Sequence, residues 1–254
     1  MSNVLIIDTS TQAVEIAVGS TNEDSVTRSI EQYSSHSENI VVAIKDAIEE
    51  KKITIKDIDA IGVGVGPGLF TGLRVGIASA HSFAHALNVP LVYFSSLELT
   101  AISSVQNAAA IGSSTASEQV IVARDARRKE LYFASYVFKN IGPSEVTIDS
   151  TTISTQLERV KEEQLISPKD FVDMINSQNG TYVVLDDIGK YEEFNLIKND
   201  VREQIIEAKI DPSIFINHVT DSVMASITQN VFAPSALYIR KSDAELSWGT
   251  GKLS

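Results

Sequence analysis

Apolar positions recur at two periods along this chain. Val4-Leu5-Ile6-Ile7 is a continuous apolar run that ends at Asp8-Thr9-Ser10, the pattern of a buried strand entering a tight turn. Val14 to Val18 alternates and follows closely, which predicts a hairpin. Ser25 to Tyr33 reads as a third strand. Ser35-His36-Ser37-Glu38 has capping-box spacing, and Ile40, Ile44, Ala47 and Ile48 follow at helical spacing. Ala60 to Val65 reads as another buried strand, ending in Gly66-Pro67-Gly68. The period is helical from about Phe70 to Leu87, Leu91 to Phe94 is a strand, and a helix starts at about Leu97. A hairpin first and strand–helix units afterwards predict a mixed sheet with helices packed on it.

The second half is less regular. Asn107 to Glu118 is rich in Ala, Ser, Thr and Gly and reads as a linker or mobile loop. Gln119 to Ala123 and Leu131 to Phe138 read as paired strands around Arg124-Asp125-Ala126-Arg127-Arg128-Lys129-Glu130. Ser167-Pro168 is a helix start, with Pro at the first helical position. Thr181 to Leu185 is a buried strand ending in Asp186-Asp187, and Thr220 to Phe232 is a final helix. The tail from Ser242 onward is polar, with one tryptophan, Trp248; neither it nor the 107–118 stretch carries a functional reading.

Composition narrows the function classes. The chain has 254 residues, enough for one or two domains with a sizeable core. Its net charge of −12 suits it poorly to holding nucleic acid alone, because phosphate affinity comes mostly from Lys and Arg. With no cysteine, disulfides, thiol nucleophiles, Fe–S clusters and Cys-based zinc sites are excluded. The N-terminal apolar run is too short for a signal peptide or a membrane span, so the expected location is cytoplasmic, without a membrane partner.

Six of the thirteen glycines lie between residues 62 and 76. They join a strand to a helix N-terminus, where unpaired amides can receive an anion. The segment is neither a Walker loop nor a dinucleotide fingerprint, since its spacing differs from both. A tight strand–helix turn explains it equally. Behind it, Gly72, Gly76, Ala80 and Ala84 form a small-residue ridge at four-residue spacing, which lets another element approach closely. That element is either the chain's own sheet or a partner.

These residues resemble a known family. Asp8-Thr9-Ser10-Thr11 after an apolar strand, followed by Gly66-Pro67-Gly68-Leu69-Phe70-Thr71-Gly72-Leu73-Arg74-Val75-Gly76, is similar to the TsaB (YeaZ) family. Val92 to Leu97, Asp125 to Tyr132 and Ala236-Leu237-Tyr238-Ile239-Arg240 agree with it. The resemblance covers residues 1 to about 135 and the C-terminal end. It implies an α/β, two-lobed actin/sugar-kinase/Hsp70-like fold, each lobe a mixed sheet with packed helices. Lobe one would be residues 1–106 completed by the final helix at 220–254, and lobe two residues 107–219. It implies a non-catalytic scaffold for TsaD, the enzyme that moves a threonylcarbamoyl group onto N6 of the adenine next to the anticodon in tRNAs reading ANN codons. TsaE would act with the pair, tRNA would be met only through the complex, and the chain alone would be a homodimer. No cofactor of its own is expected; ATP or ADP is a candidate at the shared interface. The expected docking face is the ridge and its neighbours, Gly68, Phe70, Thr71, Gly72, Leu73, Arg74, Gly76, Ala80 and Ala84.

The chemistry-bearing residues agree with a non-catalytic reading. TsaD carries a metal-binding His-x-x-x-His where this chain has Ser96 and Thr100, and neither hydroxyl replaces an imidazole. His81-x-x-x-His85 has ligand spacing on one helix face but lacks a Glu between and a third ligand nearby. Asp8-Thr9-Ser10 stands as a degenerate nucleotide loop or as a plain strand-end turn, and Asp187-Ile188-Gly189 as a remnant of a second loop. His36, His81, His85 and His218 give no triad spacing, and no Gly-x-Ser-x-Gly elbow occurs. Arg127-Arg128-Lys129, flanked by Asp125 and Glu130, reads as a self-neutralised turn, with tRNA contact by Arg127 and Arg128 left open. The competing reading is an active small-molecule kinase or other nucleotide-dependent enzyme of the same fold.

Overall fold

The computed structural model describes residues 2–21, 23–31, 36–110, 119–138, 157–178, 181–186 and 191–225. The first sheet is built from β1 (Asn3–Asp8), β2 (Ala13–Ser20), β3 (Val26–Glu31), β4 (Ile58–Gly64) and β5 (Leu91–Phe94), in the order β3-β2-β1-β4-β5. The first three strands pair antiparallel through short turns, while β4 and β5 add parallel to β1. Parallel strands need a crossover, and α1 (His36–Lys51) and α2 (Phe70–Leu87) supply it. Ile40, Ile44, Ala47 and Ile48 of α1 are buried against Leu5, Ile7 and Ile16 of the sheet.

The second sheet repeats this plan. β6 (Gln119–Asp125), β7 (Leu131–Phe138) and β8 (Leu157–Ile166) pair antiparallel, and β9 (Thr181–Asp186) and β10 (Ile205–Glu207) add parallel to β6. The order β8-β7-β6-β9-β10 is that of the first sheet, strand for strand. α4 (Pro168–Asn176) follows the third strand as α1 does, and Ser167 caps it by accepting from the Asp170 amide at 3.1 Å. This duplication is the two-lobed α/β architecture expected of the actin/sugar-kinase/Hsp70-like class.

The helices between the sheets are exchanged. α3 (Ser96–Ala110) follows β5 in the chain but packs on β6, β7, β9 and β10. After the short α5 (Asn199–Arg202) and β10, α6 (Phe215–Ala225) returns to β1, β2, β4 and β5. One apolar cluster therefore runs from Val4, Ile6 and Phe94 through Leu97 and Ile102 to Val120, Val122 and Tyr136, closed by Phe215 and Val219. The Phe94 and Phe215 rings lie 4.6 Å apart within it.

Three sequence expectations need adjustment. α3 extends to Ala110, so the stretch read as a linker from Asn107 begins as helix, as its alanines favour; residues 111–118 lie outside the described residues. The final helix starts at Phe215 rather than Thr220, because Asp211 and Pro212 set its entry through a 3-10 turn whose Ser213 amide bonds to Asp211. β8 had no counterpart in the apolar pattern. Among the described residues it pairs only with β7, and an edge strand carries charge where an interior one cannot. The expected helix beyond Ala225, the Ala236–Arg240 segment, Trp248 and Asp187-Ile188-Gly189 lie outside the described residues.

Candidate functional site

The turn after β1 is buried to a degree unusual for polar residues. Asp8, Thr9 and Ser10 are essentially inaccessible, and each has partners. Asp8 Oδ1 accepts from the Ser10 amide at 3.0 Å and from Ser10 Oγ at 2.6 Å, and Oδ2 accepts from Ser96 Oγ at 2.6 Å. Thr9 Oγ1 donates to the Gly72 carbonyl at 2.8 Å. From the second sheet comes Arg124, 4% exposed. It donates to Ser10 Oγ at 2.7 Å, to Thr100 Oγ1 at 2.8 Å and to the Pro67 carbonyl at 3.4 Å. Ser10 Oγ thus relays between a buried carboxylate and a buried guanidinium, which is how two desolvated charges are tolerated.

Ser96 and Thr100 stand at the N-terminal turn of α3 and are both buried. Ser96 Oγ also accepts from the Gly66 amide at 3.2 Å, and Thr100 Oγ1 donates to the Ser96 carbonyl. These residues do not fit a metal ion. Their hydroxyls are committed to Asp8 and Arg124, and a guanidinium at hydrogen-bond distance from Thr100 repels a second cation. The strands had signalled Asp8 by its place after an apolar run. Arg124 ends an equivalent run, Val120-Ile121-Val122-Ala123, on the strand that corresponds to β1, and that run is the signal in the sequence that marks it as a site residue.

The duplication also relocates the second loop. The counterpart of the Asp8 turn is the β6–β7 turn at Asp125, not Asp187. Asp125 Oδ1 accepts from the Arg127 amide at 2.8 Å, as Asp8 accepts from Ser10. Arg127, Arg128 and Lys129 follow with φ of 65°, 54° and 60°, three successive residues in the left-handed region. All three are exposed. The two turns face each other across a pocket of about 440 Å3 that also takes in Glu15, Glu31, Leu69, Ala208 and Ile210.

The ridge on α2 points inward, and the expectation that it docks a partner is corrected. Gly72, Leu73, Gly76, Ala80 and Ala84 are buried within the chain. A Cβ at Gly72 would run into the Thr9 carbonyl, and one at Gly76 into the Thr9 side chain. Ala80 and Ala84 belong to the core under the first sheet. The glycines are small so that helix and turn can meet, which the spacing alone could not distinguish from an outward ridge. Gly68 is half-buried, with its amide neighbour Leu69 donating to the Ser10 carbonyl at 2.8 Å.

Of the expected docking residues, Phe70, Thr71 and Arg74 are the ones α2 leaves in solvent. The Arg74 guanidinium lies 3.9 Å from the Phe70 ring centroid, a cation–π stack. On the adjacent α1, Val41 and Val42 are 56% and 50% exposed. His81 and His85 are exposed too. His81 Nε2 is hydrogen-bonded to the Tyr93 hydroxyl at 2.7 Å, and burial pushes the pKa of that phenol above its ordinary value. Among the described residues no three His, Asp or Glu converge as a metal set, and no helix is long and apolar enough to cross a membrane.

Comparison with known proteins follows the same lines. The family model of the tRNA N6-adenosine threonylcarbamoyltransferase TsaD matches residues 30–205. A Mycobacterium tuberculosis protein of uncharacterised role is 36% identical over 148 residues, 57% of this chain and 64% of that one. The chain thus spans under two thirds of the length of such relatives. The tRNA threonylcarbamoyladenosine biosynthesis protein TsaB of Haemophilus influenzae is 27% identical over 176 residues, 69% of each chain. A solved Pseudomonas aeruginosa structure, described as similar to the peptidase YeaZ, superposes with a TM-score of 0.69 at 20% identity, covering 94% of this chain and all of that one.

Proposed function

The chain belongs to the TsaD family, on its TsaB (YeaZ) side, and from that premise we propose that it is a non-catalytic partner subunit in tRNA threonylcarbamoyladenosine synthesis. It would scaffold a TsaD homologue, with TsaE joining the pair and tRNA met through the complex. The observation that carries this reading is the filled crevice. Where a catalytic relative of this fold would hold a metal, Ser96, Thr100 and Arg124 form a closed hydrogen-bond network with Asp8. A fully satisfied buried network rigidifies its surroundings, which supports the reading of this turn as a structural brace.

The docking face in this reading is the exposed side of α1 and α2. Val41, Val42 and Phe70 offer apolar area beside one another's helices, and Arg74 supplies a rim charge. In isolation the same face would pair with itself about a two-fold axis. ATP or ADP, if required, would sit at the shared interface.

Light scattering after size exclusion tests this, on the chain alone and mixed with the TsaD of the same organism. A new complex is expected. Val42→Glu should weaken it by roughly tenfold or more, the cost of desolvating one charge in an apolar contact, with an unchanged melting temperature. The absence of any complex at high micromolar concentration, with or without nucleotide and TsaE, would sink the scaffold reading. Tight MgATP binding by the isolated chain would point instead to the kinase alternative.

A further inference from the structure

The pocket between the two turns holds a buried acid for which the scaffold role has no use. Glu15 on β2 is paired with Asp8 on β1 and with Ser29 on β3, so the three side chains stand in one row on one sheet face. Glu31, paired with Ala13, stands in the next row of the same face. Glu15 is only 8% exposed. Its Oε1 accepts from Ser29 Oγ at 2.7 Å. Its Oε2 has no hydrogen-bond donor, and no cation pairs with it among the described residues. Arg124 lines the same pocket but directs its guanidinium at Ser10, Thr100 and Pro67.

A carboxylate held this way lacks a counter-charge. The charges that act on it, Asp8 and Asp211, have its own sign. Burial is the main cause that pushes its carboxyl up to about 7; the Ser29 hydrogen bond opposes the rise, and the two aspartates add to it. The other ionisable groups lining the pocket are Glu31, Arg124, Asp125 and Arg127. A metal ion is not catered for, since no three ligands converge among the described residues. The remaining lining includes aliphatic surface from Ala13, Leu69, Ala208 and Ile210. A lone buried carboxylate beside an aliphatic wall matches a molecule with one charged head and a hydrocarbon stem.

We propose that this pocket is a binding site for a small aliphatic cation, a primary ammonium or guanidinium whose head pairs with Glu15 Oε2 and whose stem lies on Leu69 and Ile210. A phosphate placed at this end of the pocket would meet Glu15 and Glu31, while Arg124 and Arg127 lie among the lining at the other turn, so the amine head is assigned to the Glu15 end. The pocket shares no residue with the proposed docking face of Val41, Val42, Phe70 and Arg74, so the two readings are tested separately.

Calorimetry and thermal shift on the full chain at pH 8 test it, with n-butylamine, n-pentylamine and n-butylguanidine as probes and inorganic pyrophosphate as the contrast. At least one amine should bind with one-to-one stoichiometry and raise the melting temperature. Glu15→Gln, which keeps the shape, should lose roughly tenfold or more in affinity while remaining folded. Carboxyl NMR of Glu15 should show the bound amine lowering its midpoint, and affinity should fall as pH drops below about 7. No heat and no shift with any of the amines at millimolar concentration would overturn the proposal. So would equal amine binding by the Glu15→Gln variant, an unmoved Glu15 titration, or binding of pyrophosphate in place of the amines.

Discussion

The β1–β2 turn and the β6–β7 turn begin alike and end differently. Each follows the corresponding strand of a duplicated sheet, and each opens with an aspartate that accepts the amide two residues on, Ser10 for Asp8 and Arg127 for Asp125. The first continues with small hydroxyl residues and is sealed under α2 and α3. The second continues with three cations in left-handed geometry and stands in solvent. Asp125 also accepts from the Tyr191 hydroxyl, which anchors its turn within its own lobe. The Asp8 turn is anchored from both lobes, because Arg124 reaches it from the second sheet. The same opening is thus a brace in one lobe and an exposed knuckle in the other, and the residue that donates its amide to the aspartate, Ser10 in one turn and Arg127 in the other, already sets them apart.

The largest expected effect separates the two aspartates. Asp8→Ala leaves the Ser10 and Ser96 hydroxyls and the Ser10 amide without their buried acceptor and removes the negative charge to which Ser10 links Arg124, and should cost on the order of 3–5 kcal/mol in urea unfolding. Asp125→Ala removes turn bonds at the edge of solvent and should cost about 1–2 kcal/mol. Equal losses would break the contrast. Next in size is Glu15, close to the sealed turn. Its folded carboxyl is raised from 4.5 to about 7, so its contribution is fully present below about 4.5 and lost as pH rises through about 7. Melting between pH 5 and 8 should therefore show a slope, worth on the order of 3 kcal/mol, that Glu15→Gln flattens.

A smaller effect probes how α2 meets the first turn. Gly76→Ala should destabilise by roughly 1–3 kcal/mol through its clash with Thr9. Adding Thr9→Ala should recover part of that loss, giving a coupling that a double-mutant cycle reads directly. The smallest effect belongs to the knuckle. Replacing Arg128 or Lys129 with Gly relieves a left-handed backbone but adds chain entropy to the unfolded state, so each should stabilise by about 0.5 kcal/mol.

Much of the fold was written in short-range pattern. Val4 to Ile7 and Ala60 to Gly64 are apolar on both faces and could only be interior strands, and the bounds of α2 follow from Pro67 and the helical period up to Leu87. What pattern could not supply was direction. Gly72, Gly76, Ala80 and Ala84 share one face at four-residue spacing whether that face meets a partner or the chain's own Thr9, and spacing carries no sign. β8 was missed because Glu158, Lys161, Glu162 and Glu163 belong to an edge strand, where tertiary pairing overrides a charge-rich local preference. Arg124 was passed over because a cation after an apolar run is ordinarily a strand end reaching solvent. Only the repeat of the first sheet in the second, invisible without pairing, puts it opposite Asp8. The place of Ser96 and Thr100 in the first turns of α3 is legible in the sequence, while the network they join is not.

The exchange of α3 and α6 between the sheets has a consequence in time. A ribosome delivers β1 to β5 first, yet the helix that covers their inner face is not made until Phe215 to Ala225 has emerged. Until then Val4, Ile6 and Phe94 have only part of their cover, and the first half of the chain waits, half-closed, for nearly the whole second half to be synthesised. The two lobes are consequently finished together, as the last helix arrives, rather than one after the other.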